Sequence, residues 1–458
     1  MDAPRAVEYH GAAMNTVTPT APPAPDLPAQ LRIEPVRGPV DFEIAVPGSK
    51  SITNRALVLG ALAQSPIVLT GALFADDTHY MMEALKTLGF SVSADPAALE
   101  IRIAGRGGEI PVREANLFVG NAGTVMRFLT SFVCLGHGAY RMDGTERMRQ
   151  RPIDDLIEGL HGLGVKAQIE GQGGCPPVRI EADGLPGGRV QVSGSKSSQY
   201  VSGLLMVAPY AKAPLEVEVV GEFVSQPYVE LTLRTMADLG VGTTSDGNRL
   251  YIPTHGARYR GGTYAIEGDA SAASYWLAAA AILGGRAVVT NVRGDSPQGD
   301  AAFAKVLERM GCRVRTGFLA GDYGIEVVRD PAVPLKAVHV DLNAMPDVAQ
   351  TLAAVALFAE GTTSMINIAN LRIKETDRLS AVAAELTRLG AKVEEGSDFI
   401  EITPGPAREA VIQTYDDHRM AMAFSLVGLG RPGVTIDHPA CVAKTYPHYF
   451  KDLERLRR

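Results

Sequence analysis

A short pattern recurs five times along this chain of 458 residues: LKTLGFSV, LHGLGVKA, MADLGVGT, LERMGCRV and LTRLGAKV. In each, apolar residues three apart mark the end of an amphipathic helix, a glycine follows, and a β-prone residue comes next. Glycine suits the left-handed position that ends a helix and releases the chain into a strand. The glycines are Gly89, Gly164, Gly240, Gly311 and Gly390, separated by 75, 76, 71 and 79 residues. One helix–glycine–strand junction is ordinary in any α/β protein. Five at near-equal spacing predict an αβ unit of roughly 75 residues used about six times, a period longer than most solenoid repeats. Six such units fit two domains of three better than one long array.

Net charge is −7 and the pI about 5.8, which argues against a nucleic-acid partner. Any cationic cluster must therefore be local. Cys134, Cys175, Cys312 and Cys441 lie far apart with no CxxC pair, and we read them as reduced thiols of a cytoplasmic protein. Apolar runs such as YWLAAAAIL and TLAAVALFA are too short to span a bilayer, and no secretory signal opens the chain, so no membrane partner is expected. Residues 1–31, rich in Pro, Ala and Thr, are expected to form a disordered tail. There is no GxxxxGK[ST], HExxH or GxSxG element, GRGGE lacks dinucleotide spacing, and the nine histidines are scattered. Neither a metal nor an organic cofactor is expected.

Cations collect instead at the ends of predicted elements. PGSKSITNR (Pro47 to Arg55) follows the strand-like FEIAV, and SGSKSSQY (Ser193 to Tyr200) echoes it. GNAGTVMR sets two glycines before a helical run, where backbone N–H groups suit an anion. ERMRQRPIDDL holds Arg151 directly before Pro152 at a helix mouth. In NLRIKETDRLSAVAAEL, Thr376 is the expected cap, and Lys374 and Arg378 share a face if the helix begins early. YDDHRMAMAF places Asp416, Asp417, His418 and Arg419 before an apolar helix, and CVAKTYPHYF sets Lys444 among apolar neighbours. Each segment alone is a weak signal beside the alternative of a solvated turn or a cap. Together, in an acidic chain, they predict ligands rich in phosphate and carboxylate, since Arg grips such groups through a planar fork and Lys acts as a point charge.

These segments, with LFVGNAGTVMR, RMRQRPIDDL, GSKSSQYVSGLLM, EGDASAASYW, MPDVAQTLAAVALFAEG, RIKETDRL, YDDHRMAM and AKTYPHYF, run in order across about residues 32–458. The chain resembles the 3-phosphoshikimate 1-carboxyvinyltransferase (EPSP synthase) family. The resemblance implies an α/β fold of two domains, each an inside-out α/β barrel of three βαβαββ repeats. Residues 48–267 would form the N-terminal domain, and 32–47 plus 268–458 the C-terminal one, with hinges near Pro47 and near Glu267 to Asp269. It implies a transferase that joins phosphoenolpyruvate to the 5-hydroxyl of shikimate 3-phosphate and releases phosphate, without a metal, an organic cofactor or a covalent enzyme intermediate. A monomer is expected.

The resemblance also assigns residues. Lys50, Ser51, Arg55, Ser197, Ser198, Gln199, Ser225, Tyr228, Asp347, Asn370 and Lys374 would meet shikimate 3-phosphate. Lys50, Asn121, Gly123, Arg151, Gln199, Arg378, Arg419 and Lys444 would meet phosphoenolpyruvate. Asp347 would take the hydroxyl proton and Glu375 would transfer a proton at the methylene carbon, with Lys50 assisting either. A carboxylate among cations has a lowered pKa, so Glu375 would be a poor acid unless desolvated. With cations on both sides of the cleft, repulsion is expected to hold the ligand-free halves apart. Where the family reads GNAGTAMRP, this chain has Val125 and Phe128 on the helix beneath the phosphoenolpyruvate site, which glyphosate occupies in the family. Two other readings stand beside this one: the sister enolpyruvyl transferase acting on UDP-N-acetylglucosamine, and a non-catalytic anion-binding protein on the same scaffold.

Overall fold

Segments such as ASAASYWLAAAAIL are apolar or small on every face, so a helix made from them is stable only when surrounded. The computed structural model, which describes residues 25–247, 249–319 and 322–457, surrounds this helix and five others. Helices Lys50–Leu62, Gly123–Phe132 and Ser198–Val207 are buried along nearly all of their length and pack together in one half. Ala270–Leu283, Ala349–Ala356 and His418–Gly430 do the same in the other. Amphipathic helices and sheets enclose each trio. This is the two-domain inside-out α/β architecture that the resemblance implies, and its division into two sets of three units is the one the repeat predicts.

The unit itself is explicit. Strand Glu114–Phe118 runs parallel to His137–Asp143, which pairs antiparallel with Val178–Asp183, which pairs antiparallel with Lys166–Ile169. Helices Gly123–Phe132 and Asp154–Gly162 fill the connections, giving β-α-β-α-β-β. The same order and directions recur at Gly188–Pro253 and at His339–Thr403. Gly89, Gly164, Gly240, Gly311 and Gly390 all take positive φ, between 80° and 108°, as the helix-ending role requires.

The remaining three units borrow a strand. Gly262–Ala265 completes the sheet of Ile67–Thr70, and Val40–Ile44 completes that of Gly285–Val289. The last unit pairs Ala410–Ile412 with Val434–Asp437, and Gln30–Ile33 closes its edge. The expected tail thus ends earlier than residue 31, because Gln30 and Leu31 find partners in Asp437 and Ile436. Residues 1–24 of that tail lie outside the described residues.

Two buried cores follow from this pairing. One draws on Ile52 through Ile266, the other on Ile33, Ile44, Val46 and Ala270 through Leu453. The two connections between them are tied together. Gly48 bridges Gly268, Ser49 N donates to Glu267 O and Asp269 N to Pro47 O, both at 2.8 Å. Lys50 N then donates to Asp269 Oδ2 at 3.0 Å.

Candidate active site

The inner helices begin where the halves meet. Ser49, Ser197, Asp269 and Asp417 each cap one through the side chain, satisfying a first-turn N–H. Gly123 starts its helix without any side-chain cap, so no side chain satisfies its first-turn N–H groups there. A small cavity of about 30 Å³ is lined by Lys50, Gly123, Arg151, Gln199, Asp347, Lys374, Glu375 and Arg378, together with Asp77 and Thr124. Residues 300 positions apart therefore meet at the positive ends of helix dipoles, each equivalent to about half an elementary charge.

Asp347 is the hub of the C-terminal side. Its oxygens lie 3.0 Å from Arg378 Nη1, 3.0 Å from Arg419 Nη2 and 3.6 Å from Lys374 Nζ. Burial pushes this carboxyl up, but Arg419, Lys374, Arg378 and Lys50 outweigh burial and hold it well below the usual carboxylate range. Burial likewise opposes Arg378, Arg151, Lys444 and Lys50 at Glu375, and again the cations win. Glu375 Oε2 sits 2.7 Å from Arg378 Nη2 as a close ion contact, and its Oε1 is 4.0 Å from Arg151 Nη1. Arg378 also donates to Asp417 at 2.7 and 3.3 Å.

On the other side Asp77 stands between two lysines. Its Oδ1 accepts from Lys444 Nζ at 2.6 Å and its Oδ2 is 3.4 Å from Lys50 Nζ. Lys444 and Arg151 both donate to the Asn121 carbonyl at 2.9 Å, and Arg151 also to Asn121 Oδ1 at 3.1 Å. Burial lowers the Arg151 pKa to about 10, with Glu375 working against it. The halves are in contact, as Arg147 Nη2 donates to the Lys374 carbonyl at 2.8 Å. Asp77, Asp347, Glu375 and Asp417 are interleaved among the cations that face the cleft.

Other expected residues are placed less directly. Arg55 is 1 % exposed, and its nitrogens donate to Thr232 Oγ1, Ser202 Oγ and the carbonyls of Ser51 and Tyr228. Four of its five N–H groups are thereby committed within the protein, and its guanidinium stacks 5.2 Å from the Phe128 ring centroid. Ser225 and Asn370 join each other at 3.2 Å, and Ser225 N donates to Asn343 Oδ1 at 3.0 Å. Ser51, Ser197, Ser198, Ser225 and Asn370 lie outside the lining of the small cavity. Lys196, the counterpart of Lys50 in the echoing segment, is bound by Asp154 and Asp155 at 2.8 and 3.0 Å.

The helix after Lys374 begins later than expected. Asp377, not Thr376, caps it by accepting from Ser380 N, and Arg378 is its first residue. A carboxylate is the stronger acceptor here and is further fixed by Arg372 at 2.9 Å. Lys374 and Arg378 therefore do not share a helical face; they converge on Asp347 from either side of the cap. Asp77, Asp300 and Arg127 were not singled out from sequence. Asp77 lies in the unremarkable run LFADDTHY, and Arg127, bound to Gln199 Oε1 at 2.9 Å, sits within GNAGTVMR.

A methyl group at Gly123 would lie 2.5 Å from Arg151 Nη2 and 2.9 Å from Arg127 Nη1. Alanine suits the helix, so Gly123→Ala is expected to leave the thermal midpoint unchanged while displacing Arg151. The affinity of this site for an anionic ligand should fall about tenfold, equivalent to about 1.4 kcal/mol. An unchanged affinity would separate Arg151 from ligand binding.

The family model described as EPSP synthase (3-phosphoshikimate 1-carboxyvinyltransferase) matches residues 36–453. Among curated relatives, the 3-phosphoshikimate 1-carboxyvinyltransferase of Trichormus variabilis is 46 % identical over 421 residues, 92 % of this chain and 97 % of the relative. That of a Sulfurovum species is 46 % identical over 429 residues, 93 % and 99 % of the two chains. The solved EPSP synthase of Acinetobacter baumannii superposes with a TM-score of 0.76 at 27 % identity, covering 93 % of this chain and 98 % of the other. The enolpyruvyl transferase NikO of Streptomyces tendae shares the fold, with a TM-score of 0.74 at 18 % identity over 95 % of this chain and 98 % of its own.

Proposed function

The chain belongs to the EPSP synthase (3-phosphoshikimate 1-carboxyvinyltransferase) family, and from that membership we infer that it transfers the enolpyruvyl group of phosphoenolpyruvate to the 5-hydroxyl of shikimate 3-phosphate, releasing phosphate. It is a transferase of the shikimate pathway. The observation that supports this most directly is the meeting of Lys50, Arg151, Arg378 and Lys374 around Asp347 and Glu375 in one cavity. A purified sample given both substrates should release phosphate and form the enolpyruvyl ether. The same assay with UDP-N-acetylglucosamine in place of shikimate 3-phosphate should give none.

The rival readings fit less well. A reactive thiol beside the phosphoenolpyruvate site marks the sister transferase, whereas Cys134 is fully buried and burial pushes its thiol up to about 12. A non-catalytic anion binder needs no carboxylates among its cations, yet Asp347 and Glu375 sit among them.

In the proposed assignment, Lys50, Arg151, Arg378, Arg419 and Lys444 hold phosphoenolpyruvate, with Asn121, Gln199 and the Gly123 backbone. Lys374, Ser197, Ser198, Gln199, Ser225, Tyr228 and Asn370 hold shikimate 3-phosphate, with Ser51 and the one uncommitted N–H of Arg55. Residues 48–267 act as one domain, and 32–47 with 268–458 as the other. The four buried, unpaired cysteines support a reducing, cytoplasmic setting, and we propose a monomer. No described helix is long and apolar enough to cross a membrane.

Asp347 is the proposed base. Glu375 is proposed to move a proton at the methylene carbon, and substrate binding resolves its unsuitable resting state. Cations alone hold it ionised; anions bound beside Arg378, Arg151 and Lys444 cancel them and leave burial to raise its pKa. Binding both substrates near pH 7 should therefore take up protons. Calorimetry in buffers of different ionisation enthalpy should register less uptake for Glu375→Gln than for the native chain, and equal uptake would remove Glu375 from proton transfer.

A further inference from the structure

Behind Asp347 lies a second buried carboxylate that the reaction described above does not use. Asp300, on the short turn Gly299–Ala302, is 3 % exposed. Its Oδ2 accepts from the Ser271 hydroxyl and lies 3.4 Å from the Tyr228 hydroxyl. The same phenol oxygen lies 3.5 Å from Asp347 Oδ2, so Tyr228 stands between the two carboxylates. Asp300 Oδ1 is buried without a hydrogen-bond partner. The charged groups that face Asp300 are Asp347, Arg419 and Asp269. Arg419 Nη2 reaches both Ser271 Oγ at 3.2 Å and Asp347 Oδ2 at 3.0 Å, closing the cluster. A buried carboxylate with an unsatisfied oxygen opposes folding, and such groups collect where proton chemistry needs them.

We propose that Asp300 receives, through the Tyr228 hydroxyl, the proton that Asp347 takes from the shikimate 5-hydroxyl. This rests on Asp347 being the base. As the hydroxyl oxygen bonds to C2 of phosphoenolpyruvate, the C2=C3 π pair takes a proton from Glu375 onto C3, the O–H bond breaks, and the hydroxyl proton moves to Asp347 Oδ2. Asp347 passes it to the Tyr228 oxygen while the Tyr228 proton moves to Asp300, so the phenol is unchanged. When the C2–O bond to phosphate breaks, C3 returns a proton to Glu375 and the double bond re-forms, while the proton on Asp300 returns by the same chain to the departing phosphate oxygen. No electrons are exchanged and no co-reactant is required. Asp300 never touches substrate; it acts through Tyr228 and Asp347.

The proton affinities run in the required direction. Burial, reinforced by the Asp347 charge, pushes Asp300 up to about 6. The surrounding cations hold Asp347 far lower despite its burial, so a proton placed there moves on. Burial and the two nearby carboxylates raise Tyr228 well above its ordinary value, which keeps it protonated as a conduit. Because the acceptor must start ionised, kcat should fall as pH drops through about 6.

The test uses the full chain with Asp300→Asn, Tyr228→Phe, the double variant and Asp347→Asn, followed by kcat, KM and solvent deuterium isotope effect between pH 5 and 9. Asp300→Asn should lower kcat roughly 10²-fold with little change in KM for shikimate 3-phosphate, and should remove the fall in kcat below neutrality. Tyr228→Phe keeps both carboxylates and the ring, so it tests the chain even if Asp300→Asn folds poorly. The double variant should be no slower than the slower single one. Wild-type kcat and pH profile in Asp300→Asn and Tyr228→Phe, beside an inactive Asp347→Asn, would overturn the relay and leave the base assignment standing. Multiplying losses with the acid limb retained would overturn it too, marking Asp300 as a support for Arg419. An active Asp347→Asn would instead remove the base assignment itself.

Discussion

Lys50→Met should reduce turnover below detection and weaken the binding of both substrates. Lys50 begins an inner helix, lines the cavity, and brings its ammonium within 3.4 Å of Asp77. Methionine keeps an unbranched apolar stem of similar length and removes the ammonium with its charge and its three N–H donors. The loss of a charge-assisted contact costs about 1.5–3 kcal/mol in binding alone, and any charge developing on the transferring group goes unanswered. Asp77 keeps its 2.6 Å contact with Lys444, so the fold should survive. Phosphate release at saturating substrates, with circular dichroism as the control, measures this. Near-normal turnover would move the site away from Lys50.

Asp347→Ala should lose turnover by roughly 10²–10⁴-fold, the range expected when a general base is removed, with a much smaller effect on shikimate 3-phosphate affinity. Alanine also leaves Arg419 and Arg378 without one shared anion, although Arg378 keeps Asp417 at 2.7 Å. Phosphate binding should therefore be preserved or tightened while the chemistry stops. Equilibrium titration beside the steady-state rate separates the two. A fall in affinity with an intact rate at saturation would make Asp347 a binding residue only.

The repeat was legible because its signal is local. A helix end, a glycine and a strand start occupy eight residues, and the steric demand of the left-handed position recurs wherever the unit does. Five glycines announced six units because the last unit takes its edge strand from Gln30–Ile33 and needs no such junction after Tyr449–Leu453. The cations were legible for a related reason: Lys50, Arg151, Arg378 and Arg419 sit at element ends, where periodicity does not explain them. Their counter-ions were not. Asp77 and Asp300 gain meaning only from partners distant in sequence, such as Lys444 for Asp77 and Tyr228 for Asp300, and nothing near them in sequence sets them apart. The cap at Asp377 was missed for the opposite reason, since Thr376 and Asp377 are adjacent and both able to cap.

The borrowed strands also bear on how the molecule is made. Residues from Gly48 to Glu267 hold one complete core and are contiguous, so this half is able to fold while the ribosome is still at work. The other half is not. Val40–Ile44 must wait for Gly285–Val289, and Gln30–Ile33 for Val434–Asp437. With about 400 residues between the last pair, at roughly 5–20 residues per second, its edge stays unpaired for about 20–80 s of translation. The exposed interval is long enough for chaperones to engage, and aggregation during expression should track mutations in these two strands more closely than mutations in the half that closes early.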